Sequence, residues 1–125
     1  RIEFLGHCSR QKVVECIDQC SFACIPSYFE NFSMAALEVM ARNKTIIFTE
    51  RASGKELIKD GVNGFAVNPD NVSLISERML LLANNHSIRD KMANNAYNDV
   101  LERFSTSKIV ERLEQYYHKI ISEYR

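Results

Sequence analysis

The chain has 125 residues, 46% of them hydrophobic, so it holds one domain at most, and a domain of that size buries roughly two-thirds of the surface its unfolded chain exposes. Sixteen basic and sixteen acidic residues cancel to a formal net charge of zero, which leaves no electrostatic footprint for nucleic acid or an anionic membrane. No apolar run approaches the ~20 residues of a membrane span, and the opening RIEFLGHCSR lacks the regions of a signal peptide, so the sequence is read as intracellular and cytoplasmic, with any membrane association peripheral and through a longer parent.

In chain order, RIEFLG is predicted as a short strand closed by Gly6. SRQKVVECIDQC has apolar residues at helical spacing behind an N-cap at Ser9. SFACIPS is a continuous apolar run of strand length ended by Pro26. SMAALEVMARN fits a helix capped by Ser33, KTIIFTE a buried β-branched strand, and SGKELIKDG a short helix stopped by Gly61. VNGFAV reads as a turn feeding another strand, and helices are expected over 71–84, 86–103 and 106–123, with NNHS and FSTS between them.

Strands separated by helices of about ten residues imply βαβ crossovers. The predicted class is therefore α/β: a Rossmann-like parallel sheet with helices on both faces and a helical C-terminal third. Ligands in such sheets bind beyond the carboxyl ends of the strands, where loops run into helix N-termini. Two segments then lie at the ligand edge, Gly6 to Ser9 and Pro26 to Ser33.

The second segment carries the chemistry. A helix starting near Ser33 presents unpartnered N–H groups and roughly half a positive charge, which suits a phosphate or pyrophosphate at Ser33 and Met34. Glu30 lies just outside that start, able to accept hydrogen bonds from hydroxyls. Glu38 lies five residues in, about 7.5 Å along the axis, with its side chain leaning back toward the N-terminus. One carboxylate on each side of a pyrophosphate matches a nucleotide sugar: ribose, two phosphates, donor sugar. The plain alternative is that Glu38 and Arg42, at i and i+4, form a surface pair worth a few tenths of a kcal/mol, and that Glu30 is an ordinary loop acid. Cys8, Cys16, Cys20 and Cys24 complete no zinc pattern and read as small buried hydrophobes, so no metal site is expected.

With its flanks, the stretch IPSYFENFSMAALEVMARNKTIIFTERASGKELIKDGVNGFAVNP resembles the donor-binding C-terminal domain of retaining GT-B glycosyltransferases, the glycosyl transferases group 1 family. The matching pieces are Pro26-Ser27, Glu30, Asn31-Phe32-Ser33, Glu38-Val39-Met40-Ala41, TIIFT, Ser53-Gly54, Glu56-Leu57-Ile58, and Asp60-Gly61 to Gly64. The upstream approach and the closing RFSTSKIVERLEQYY are similar to the family as well. The resemblance implies that Glu30 contacts donor-sugar hydroxyls as the catalytic-site carboxylate, and that Asn31, Phe32, Ser33 and Met34 hold sugar and phosphate oxygens through their backbone. It further implies that Glu38 binds ribose and that the loop of Gly6, His7 and Cys8 meets the nucleobase. It implies retaining hexosyl transfer without a cofactor or metal, to a carbohydrate or lipid acceptor, in polysaccharide or glycoconjugate biosynthesis. Asn31 and Ser33 stand where the family has Gly, which bears on donor preference. The family's phosphate-gripping Arg and Lys and its acceptor domain precede the first strand seen here, so the chain is expected to be an inactive fragment of a longer enzyme. A nucleotide-sugar epimerase of related fold, or a donor-binding module without transfer, are the rival readings.

Overall fold

The computed structural model describes residues 2–51 and 54–124. Its elements run α1 (Arg10–Gln19), β1 (Phe22–Ile25), α2 (Met34–Ala41), β2 (Thr45–Thr49), α3 (Gly54–Leu57), β3 (Phe65–Val67), α4 (Val72–Asn84), α5 (His86–Phe104) and α6 (Thr106–Glu123). The three strands form one parallel sheet in the order β1-β2-β3, with Cys24 opposite Ile47 and Phe48 opposite Ala66.

Why β2 is central is visible in its composition. TIIFT has no polar face, and all five residues are buried because both of its faces are covered. Alternation along the strand sends Ile46 and Phe48 to one side, where they meet Ala36, Val39 and Met40 of α2, Leu57 of α3, and Ala96 and Val100 of α5. Ile47 points the other way, to Phe65, Val67, Leu82 of α4 and Met92. Helices on both faces are therefore held by a two-sided strand, as the βαβ reading requires. At full burial each of these Ile and Phe side chains contributes roughly 1.5–3 kcal/mol.

Two expected elements differ. Residues 2–6 form no strand: Ile2 and Phe4 are 82% and 93% exposed, and β1 has β2 as its ladder partner. A strand needs both a paired backbone and a face to bury, and among the described residues this segment has neither. The helix expected over SGKELIKDG ends at Leu57 rather than at Gly61. Asn63, buried to 1% exposure, is the cause: its Oδ1 accepts from the Lys59 N–H at 2.7 Å and its Nδ2 donates to the Leu57 carbonyl at 3.1 Å, so one side chain takes the backbone groups that the next helical turn would use. Gly61, at φ +73°, then closes the loop through its N–H to the Gly64 carbonyl at 2.9 Å. Arg1 and Ser53, which belonged to those two expected elements, lie outside the described residues.

Helix α6 has no buried residue and packs against α5. No described helix is long and apolar enough to cross a membrane.

Candidate functional site

Loops leaving the carboxyl ends of β1, β2 and β3 meet at one edge of the sheet. The first, 26–33, carries Glu30. Pro26 ends β1, and Ser33, 3% exposed, starts α2 by accepting the Ala36 N–H on its Oγ at 3.2 Å, while its carbonyl accepts the Leu37 N–H. The two N–H groups between, of Met34 and Ala35, have no protein partner among the described residues, and both residues are exposed. The positive end of α2 therefore opens to solvent with two free donors, as an anion would need.

The flanking acids have different settings. Glu30 is half-buried, and Asn31 beside it is exposed. Phe32, 44% exposed, stands edge-on to Phe104 at the end of α5, centroids 5.5 Å apart. Glu38 faces α1, and its carboxylate sits 3.0 Å from the Arg10 guanidinium. The alternative i,i+4 pair is not formed: Arg42 instead reaches Asp18 at the end of α1, at 2.9 Å, so the two helices are bridged twice. Glu38 and Arg10 line a small cavity of about 150 Å³ together with Val14, Ala41 and Arg42.

Gly6, at φ +64°, His7 and Cys8 lead into Ser9, whose Oγ caps α1 at the Lys12 N–H, and thus into Arg10. The loop expected to meet a base is thereby brought to the helix start that contacts Glu38. The same three residues also line an apolar cavity of about 570 Å³ that runs down to Phe22 at the start of β1, away from the carboxyl edge. Cys16 and Cys20 share that cavity, and all four cysteines are half-buried rather than the core residues expected; partial burial raises the thiol pKa of Cys20 and of Cys24. Among the described residues, no three His, Cys, Asp or Glu side chains converge as a metal cluster.

Behind the edge, Gly54 follows β2 so closely that a Cβ there would lie 1.7 Å from the Thr49 carbonyl oxygen. Gly64 is likewise pressed on the Ile46 carbonyl, at 2.7 Å. Gly54 and Gly64 are thus sites of close backbone approach, whereas Gly61 has open space around it and serves through its positive φ. Asp99 of α5 braces the second segment, accepting from Lys59 Nζ at 2.7 Å and Asn63 Nδ2 at 3.2 Å, and from Arg103 at 2.6 Å.

A profile of the family described as "Glycosyl transferases group 1" matches residues 1–99. The chain belongs to that glycosyltransferase family. It is 33% identical over 119 residues, 95% of its length, to an uncharacterised glycosyltransferase of Methanocaldococcus jannaschii, of which it covers 34%. The C-terminal domain of a group 1 family glycosyl transferase from Francisella tularensis superposes with a TM-score of 0.73 at 26% identity, over 84% of this chain and 53% of that one. An Anabaena protein solved in complex with UDP-glucose superposes with a TM-score of 0.79 at 20% identity, over 88% of this chain and 30% of that one. The fold is that of a GT-B glycosyltransferase C-terminal domain. The chain spans about a third of the length of the curated relatives it matches.

Arg10 and Arg51 are the two residues at this edge that sequence reasoning passed over. Arg10 had a readable signal, since it opens the helix behind the capping Ser9. Arg51, whose guanidinium lies over the Tyr28 ring and pairs with Asn68 and Asp70, had none, because those partners lie in the loops after β1 and β3.

Proposed function

We propose that this glycosyltransferase domain binds a nucleoside-diphosphate sugar at the carboxyl edge of its sheet, for retaining transfer of a hexose to a carbohydrate or lipid acceptor. The observation that carries the reading is the open N-terminus of α2, with free Met34 and Ala35 N–H donors between a carboxylate one loop earlier and a second one turn later. The diphosphate sits at the helix start. Backbone groups of Asn31 to Met34 hold sugar and phosphate oxygens, Glu30 accepts from donor-sugar hydroxyls, and Glu38 accepts from ribose hydroxyls. The loop of Gly6, His7 and Cys8 lies against the base.

In the transfer, the bond from the anomeric carbon to the β-phosphate oxygen breaks while a bond from that carbon to the acceptor oxygen forms on the same face. The acceptor hydroxyl's proton leaves with the departing diphosphate. Negative charge grows on the leaving group, so donors and a helix dipole already aimed at it stabilise the transition state more than the ground state. Glu30 fixes the sugar by its hydroxyls. The proposed chemistry uses no metal. Acceptor binding belongs to the rest of a longer protein, and the domain alone is proposed to be inactive in transfer. The complex of the Anabaena neighbour with UDP-glucose supports a nucleotide sugar as the ligand class.

Titration of the protein with UDP-glucose, GDP-mannose and their free diphosphates tests this reading. Saturable binding of at least one nucleotide sugar, competed by its diphosphate, is expected. No binding by any of them contradicts it.

A further inference from the structure

The loop that carries Glu30 hangs between two aromatic anchors. On its far side Phe32 is pinned edge-on to Phe104. On its near side Tyr28, 55% exposed, has the Arg51 guanidinium over its ring, 5.2 Å from the centroid. Phe29, Glu30 and Asn31 lie between; Glu30 is half-buried, but Phe29 is 95% exposed and Asn31 is exposed, so the segment has little burial of its own to order it.

Arg51 is itself fixed from three directions. Its N–H donates to the Oγ1 of the buried Thr49 at 3.2 Å. Its guanidinium donates to Asn68 Oδ1 at 3.4 Å and is paired with the Asp70 carboxylate, and Asn68 also holds the Asp70 N–H at 3.0 Å. Tyr28 follows β1, Arg51 follows β2, and Asn68 and Asp70 follow β3. One side chain thus ties together all three loops of the carboxyl edge.

We infer that Arg51 is a positioning residue for the Glu30 loop: stacked on Tyr28 and held by Asp70, it keeps Glu30 in the orientation that a donor sugar meets. The consequence for affinity rests on the donor-binding reading, whereas the ordering of the loop does not. A flat guanidinium suits both tasks, because its edge donates to the carboxylate while its face covers the ring.

Backbone 15N relaxation separates the two parts. Arg51→Ala and Tyr28→Leu are each expected to lower the order parameters of 28–32, while Ile46 to Phe48 in β2 stay near the ~0.85 of rigid backbone. Tyr28→Phe keeps the ring and is expected to match the unaltered protein, which a role through the tyrosine hydroxyl would not allow. Titrated with UDP-glucose and with UDP, Arg51→Ala is expected to weaken the nucleotide sugar by about 3- to 20-fold, the range of a cation–π contact with or without a surface ion pair, and the bare diphosphate by less. Should Arg51→Ala loosen β2 as well, Tyr28→Leu decides the matter with Arg51 in place. Unchanged order parameters of 28–32 in both variants, or an equal drop in Tyr28→Phe, overturns the inference. If the unaltered protein binds no nucleotide sugar, the donor reading falls while the order parameters still judge Arg51.

Discussion

Replacing Asp99 by Ala removes the only carboxylate that joins Lys59, Asn63 and Arg103 among the described residues. Lys59 is 59% exposed, so its share is discounted to a few tenths of a kcal/mol; Arg103, 31% exposed, and the buried Asn63 contribute about 1 kcal/mol each. A total loss of about 2–3 kcal/mol is expected. Read by urea unfolding with a slope near ~1.5 kcal/mol/M, the midpoint falls by about 1–2 M. Burial pushes the Asp99 carboxyl up, but hydrogen bonds and charge from Lys59 and Arg103 outweigh it and hold the group below its usual pKa. The unfolded chain therefore takes up its proton first. Stability from Asp99 is complete above the unfolded value of about 3.9 and is lost as pH falls through the lower folded value. The gap between the two proteins is widest at neutral pH and narrows as pH falls below the unfolded value of about 3.9. A gap below about 0.5 kcal/mol at pH 7, or one equally wide in acid, refutes the reasoning.

Ser33→Ala removes the cap of α2 and is expected to cost about 1 kcal/mol in urea unfolding, with weaker diphosphate binding as its functional counterpart. Gly54→Ala drives a Cβ to 1.7 Å from the Thr49 carbonyl, so the backbone must move; a loss of about 2 kcal/mol or more, seen as a drop in Tm, is expected. Chelator added to the titrations is expected to leave nucleotide-sugar affinity within about twofold, and a strict requirement for a divalent ion contradicts metal-free binding.

Much of this fold could be read from local pattern. Ser9 and Ser33 each precede an apolar helical repeat and each caps it, and TIIFT announces a strand buried on both faces. The errors came where distant residues decide. The apolar alternation of IEFL is strand-like, yet without a paired neighbour it makes none. The early end of α3 is set by Asn63, six residues beyond Leu57, whose amide outcompetes a helical turn that KELIKD would otherwise favour. At the site, the spacing of Glu30 and Glu38 around Ser33 was legible because it lies within one loop and one helix. The partner of Glu38 was not, because local spacing points to Arg42 whereas α1 supplies Arg10 across the helix pair.

Isothermal titration of Glu30→Ala and Glu38→Ala with UDP and UDP-glucose separates the two carboxylates of the proposed donor site. Glu38→Ala is expected to weaken both ligands by about 10- to 150-fold, the 1.5–3 kcal/mol of charge-assisted hydrogen bonds to a ribose that both share. Glu30→Ala is expected to weaken UDP-glucose alone. Arg10→Ala serves as the control: Arg10 is 81% exposed, so losing its pair with Glu38 does not reproduce the effect if ribose is the true partner. Equal effects of Glu30→Ala and Glu38→Ala on UDP, or no effect from either, contradict a nucleotide sugar bound between them.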